Sequence, residues 1–148
     1  MILDLETAQQ KGIAPWDDRA WEDFHVVVFR DRYPVTRGHL LFVPRENTPG
    51  LIREAFASAF FEGQRMVDAG ECDAFNVGIN CGEAAGQTVM YPHVHLIPRR
   101  VGDCANPIGG VRVLYMDKLI TKQPVTFTHK PSGLSAFIPL YKFCKPML

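Results

Sequence analysis

Met90-Tyr91-Pro92-His93-Val94-His95-Leu96-Ile97-Pro98-Arg99 is the stretch from which the rest of the chain is read. In an extended backbone successive side chains point to opposite faces. Tyr91, His93, His95 and Ile97 therefore share one face, and Met90, Val94 and Leu96 the other. One face packs, while the other carries imidazoles for which an ordinary core strand has no use.

Upstream, a glycine-rich turn, Cys81-Gly82-Glu83-Ala84-Ala85-Gly86, separates this strand, read as starting at Gln87, from another at Ala74–Asn80. The two suit a hairpin. Phe24–Phe29 and His39–Pro44 suit a second one, joined by a loop that contains Pro34 and Gly38. Between the hairpins Thr48 offers a cap and Pro49 a first-turn residue. From there Ile52, Phe56, Ala59, Phe60, Gly63 and Val67 recur at helical spacing, which predicts a long helix from Thr48 to about Gly70. That spacing puts Phe56 and Phe60 in the core and turns Phe61 about 100° away, as a candidate interface residue.

Two strands, a helix and two strands are an α+β order, without the alternating crossovers of a doubly wound fold. That order predicts an antiparallel sheet packed with one long helix. Residues 1–117 form the expected domain. Pro124, Pro131, Pro139 and Pro146 break any long element in 118–148, which reads as an irregular C-terminal extension.

The 148 residues are 47% hydrophobic and 22% charged, enough to bury one real core. Lys+Arg and Asp+Glu both number 16, so no net field draws the chain to nucleic acid or to an anionic membrane. No apolar run approaches the ~18 residues of a membrane helix, and Met1–Glu6 lacks a basic segment followed by an apolar one. A cytoplasmic protein is expected. Cys72, Cys81, Cys104 and Cys144 are spaced irregularly, which fits reduced thiols better than a zinc knuckle or a disulfide scaffold.

Gly86-Gln87-Thr88-Val89 followed by His93-Val94-His95-Leu96-Ile97-Pro98-Arg99 resembles the signature of the histidine triad (HIT) superfamily of nucleotide hydrolases and transferases. Laid on that pattern, the first triad histidine falls on Tyr91, the second on His93 and the third on His95. The resemblance implies that His93 is the nucleophile that attacks phosphorus, with His95 and Gln87 binding the non-bridging oxygens. It places Asp31 at the ribose hydroxyls, Phe29 in the base pocket and His39 beside the catalytic histidine. Asn80 and Thr88 fall where donors contact phosphate, and Tyr91 stands in the substrate site in place of a histidine.

Gly102-Asp103 and Asn106–Arg112 resemble the continuation in members that act on dinucleoside polyphosphates. A hydrolase of such a compound or a related nucleotide conjugate is implied, with no cofactor and no catalytic metal. The resemblance also implies an α+β fold with an antiparallel sheet of about five strands, one long helix and a short helix, and a homodimer formed through the long helix and a sheet edge. A zinc site built from His93, His95 and His39 is the competing chemistry, but it leaves Gln87-Thr88-Val89 without a role. A nucleotide sensor with little turnover and a nucleotidyltransferase are the competing functions.

Overall fold

The computed structural model describes residues 2–110. The chain divides into two units, Met1–Asp103 and Cys104–Leu148, and every helix and strand named below belongs to the first. The expected boundary at 117, Arg112 and the 118–148 extension lie outside the described residues.

Helix α1 (Leu5–Gln10) opens on Asp4, whose carboxylate accepts from the Thr7 N–H at 2.8 Å and so satisfies a helix-end donor. Strands β1 (Arg19–Glu22), β2 (Val26–Arg30) and β3 (Leu40–Pro44) precede the long helix α2 (Pro49–Asp68); β4 (Ala74–Ile79) and β5 (Val94–Arg99) follow it. As expected, Thr48 caps α2 and Pro49 occupies its first turn, where a missing N–H costs nothing.

All strand pairs are antiparallel, in the order β1-β2-β3-β5-β4. Both expected hairpins are present, β2 with β3 and β4 with β5. The β-branched run Val26-Val27-Val28 lies on an interior strand with both faces covered. Val26, Val28, Phe42, Val94 and Leu96 face α2, which meets them with Ala55, Ala59 and Met66. Val27, Phe29, Leu41, Val43 and Tyr91 form the other core with Leu5, Ala8 and Ala14. Each fully buried Val or Phe contributes roughly 1.5–3 kcal/mol relative to exposure.

Three local expectations change. The histidine strand begins at Val94, because residues 87–93 form an irregular lead-in that contains Pro92, which has no N–H to give to a ladder. Met90 consequently lies outside the core, 49% exposed. Phe60 is 54% exposed, since the near face of α2 is lined by small residues and Phe60 lies beside Phe75 at the β4 edge. Sequence patterning placed neither β1, which is short and polar, nor the short helix α1.

Candidate active site

Register assembles the site. Leu41 pairs with His95, and side chains two residues apart share a face, so His39 and His95 stand on the α1 side of the sheet, opposite α2. On the other flank of β5, His95 pairs with Gly78, where an added Cβ would meet nothing within 4 Å. That side of His95 is open.

The loop between β2 and β3 is pinned at several points. Asp31 Oδ1 accepts from the Tyr33 N–H at 2.7 Å, Thr36 donates its hydroxyl to the Pro98 carbonyl at 2.6 Å, and the His39 N–H reaches the Thr36 carbonyl at 3.1 Å. Gly38 turns the chain with φ near +90°, a conformation that strains other residues. His39 is thereby fixed at 4% exposure.

His93, 6% exposed, has Nδ1 2.8 Å from the Tyr91 carbonyl oxygen. A carbonyl only accepts, so Nδ1 carries the hydrogen and Nε2 keeps its lone pair for substrate. The His93 ring adjoins both Trp16 and His95, each with centroids 4.9 Å apart.

His39 Nε2 and His95 Nδ1 are 3.0 Å apart. His39 Nδ1 lies 3.2 Å from the Val35 N–H and 3.4 Å from Asp31 Oδ2. With Val35 donating to Nδ1, neutral His39 carries its hydrogen on Nε2, donates to His95 Nδ1, and leaves His95 with an N–H at Nε2. Among the described residues, His95 Nε2 is the buried side-chain polar atom that has no hydrogen-bond partner. Such a donor costs free energy when unmatched, so it marks a place for an acceptor.

Burial holds all three imidazoles below their ordinary range. For His95 the neighbouring His93 and His39 add to burial and push it down to about 4; for His39 and His93, nearby Asp31 opposes the shift in part. At neutral pH the cluster is uncharged. Asp31, His39 and His95 each offer a metal-ligand atom, all within 4.8 Å of one another. In these tautomers the His39–His95 hydrogen bond engages the lone pair of His95 Nδ1 and His95 Nε2 carries a hydrogen, so a cation on His95 would have to displace one of them.

The other expected residues fall as follows. Tyr91 is 1% exposed and donates its hydroxyl to the Pro44 carbonyl at 3.0 Å, so the part of it that meets His93 is its carbonyl. Gln87 serves the glycine turn: Oε1 accepts from the Gly82 N–H at 2.7 Å and Nε2 donates to the Val89 carbonyl at 2.9 Å. Thr88 is exposed, and Asn80 is half-buried just past the end of β4. Phe29 is 1% exposed, within the core. Arg99 grips Asp103 at 2.7 and 2.8 Å, and Arg100 binds the Arg37 and Glu71 carbonyls, so both arginines serve the frame. Trp16 was not foreseen. A single Trp after Gly12-Ile13-Ala14-Pro15 carries no periodic signal.

Residues 17–102 match the HIT domain family. An uncharacterized HIT-like protein of Mycobacterium tuberculosis is 39% identical over 92 residues, 57% of this chain and 64% of that protein. An adenylylsulfatase of Arabidopsis thaliana is 33% identical over 93 residues, 58% of this chain and 47% of that protein. The chain thus spans less than two thirds of the length of these relatives. A crystal structure of a Streptococcus mutans protein superposes with a TM-score of 0.54 at 28% identity, covering 80% of this chain and 83% of the other.

Proposed function

The chain belongs to the HIT domain family, and on that premise we propose that it hydrolyses a nucleotidyl phosphate bond in a dinucleoside polyphosphate or a related nucleotide conjugate, with His93 as the nucleophile. The Tyr91 carbonyl at 2.8 Å from His93 Nδ1 carries this reading, because it selects the tautomer whose Nε2 can attack. The adenylylsulfatase relative supports cleavage at a nucleotide phosphate with a leaving group other than a second nucleotide.

Nε2 of His93 forms a bond to the α-phosphorus as the bond from phosphorus to the leaving-group oxygen breaks, and the electron pair departs with that oxygen. Water then attacks phosphorus, the N–P bond breaks, and the lone pair returns to Nε2. One water proton passes to solvent, and the nucleoside monophosphate leaves. In this reading the N–H at His95 Nε2, unpartnered among the described residues, donates to a non-bridging oxygen, where charge builds in the transition state. Asp31 takes the ribose hydroxyls as acceptor, with donors of Asn80 and Thr88 on the outer phosphates, while Gln87, bonded to Gly82 and Val89, holds the turn that carries Thr88.

The same reading includes a cytoplasmic homodimer. Phe60, Phe61 and Val77 line a shallow apolar hollow shared by α2 and the edge strand β4, a surface suited to a second copy. Incubation with diadenosine tetraphosphate, adenylyl sulfate and an adenosine phosphoramidate tests the function. The expected product is AMP from at least one of them, lost in His93→Ala; equal AMP release by His93→Ala rejects it.

A further inference from the structure

The base-recognition element is missing from the site as assembled so far. Phe29, the residue aligned with a base pocket, is 1% exposed, and an aromatic ring without free surface cannot stack on a ligand. Trp16 lies against it, with ring centroids 6.1 Å apart and planes inclined by 34°. The same indole is 4.9 Å from the His93 ring and is only half-buried. The aromatic surface that both adjoins the nucleophile and reaches solvent is therefore that of Trp16.

Trp16 is also held in place. Its carbonyl accepts from Gln9 Nε2 at 2.8 Å, which ties it to α1. Helix α1 is anchored in turn by the Leu5 N–H on the Arg45 carbonyl at 2.8 Å and the Asn47 N–H on the Leu3 carbonyl at 2.9 Å. Ala14, 2% exposed, fixes the chain just before it. A rigid aromatic face loses little entropy on binding, so a planar ligand gains nearly the full stacking energy. Trp16 precedes the matched residues 17–102, so this surface belongs to the segment outside the family match.

Resting on the nucleotide site proposed above, we infer that Trp16 is the stacking surface for the nucleobase of the bound nucleotide, and that it sets affinity for the base independently of the phosphate.

Only two tryptophans are present, so in Trp21→Phe protein the emission reports Trp16 alone. Trp21 is on β1, edge-on to Phe42 of the α2-side core. Titration of that protein with AMP should give a saturable change in emission, whereas ribose 5-phosphate should bind without one. By calorimetry Trp16→Leu should weaken AMP about tenfold or more, the range that loss of one stacked base gives, and weaken ribose 5-phosphate less than threefold on the same scale. Trp16→Phe should recover most of the AMP affinity. AMP binding with no change in Trp16 emission overturns the inference and leaves the nucleotide site standing. Equal weakening of AMP and ribose 5-phosphate overturns it too. Failure of the unsubstituted protein to bind either compound overturns the nucleotide site itself, and the inference with it. Should Trp16→Leu not fold, the emission titration decides alone.

Discussion

His39 Nε2 stands 3.0 Å from His95 Nδ1, and this contact decides which nitrogen of His95 bears a hydrogen. The Val35 N–H on one end of His39 and the unpartnered Nε2 on the far side of His95 are the two termini of one hydrogen-bonded chain. Removing the middle link frees His95 to adopt the other tautomer. His39→Ala should therefore lower kcat by roughly 10- to 100-fold, the effect of losing about 1.4–2.8 kcal/mol of oriented donation. Steady-state kinetics check this; unchanged kcat in His39→Ala would show that His95 is oriented by something else.

The neutral cluster has a signature in pH. His93 must be uncharged to attack, and burial holds it below the ordinary 6.5. The acid limb of kcat/KM should accordingly have its midpoint below 6.5, with a plateau extending through neutrality. Stability moves with the same sign. Each imidazole binds fewer protons folded than unfolded, so its contribution is complete above about 6.5 and is lost as pH falls from there toward the folded value, about 4 for His95. Urea denaturation at pH 7.5 and 5 should show the lower midpoint at pH 5, and a higher one there would reverse the sign.

Tyr91 couples fold to site through its two ends. Its hydroxyl satisfies the Pro44 carbonyl in the core, and its carbonyl orients His93. Tyr91→Phe strands the Pro44 acceptor but keeps the carbonyl, so about 1–2 kcal/mol of stability should be lost. Denaturant unfolding reads this loss, and an unchanged midpoint would place the hydroxyl in water.

On α2, the approach at Gly63 sets a tight limit. A Cβ there would lie 2.5 Å from the Phe75 ring, far inside contact distance. Gly63→Ala gains about 1 kcal/mol of helix propensity but must displace Phe75, at a cost of about 1–3 kcal/mol. Net destabilisation is expected by thermal melting; a raised Tm would mean that Phe75 moves freely.

Phe60 and Phe61 are 54% and 70% exposed on the same helix. If that face joins two copies, Phe61→Asp should shift sedimentation at micromolar concentration from dimer to monomer. A monomer before substitution rejects the dimer.

Much of this was legible in residues with strong local signals. Thr48-Pro49 announced the start of α2, the β-branched run Val26–Val28 announced β2 and the apolar run Leu40–Val43 announced β3, because caps and strand propensity act within a few residues. The imidazole face was legible from the period of two at His93 and His95. What escaped depended on contacts across the chain. That Gln87 bonds Gly82 and Val89 across the glycine turn is visible only once the turn is folded. Phe60 fitted the helical stripe, but the close approach of Ala55, Ala59 and Gly63 to the sheet left it outside. That Trp16 lies against Phe29 and reaches solvent while Phe29 does not is set by contacts that only the fold creates.

The covalent intermediate on His93 is the central claim. Mixing the protein with a hydrolysable adenosine conjugate, quenching within milliseconds at alkaline pH and mapping the peptides by mass spectrometry tests it directly. The account predicts an adenylyl group on the peptide carrying His93, appearing before free AMP and absent from His93→Ala. AMP formed at full rate with no adduct, or an adduct on another residue, would contradict it.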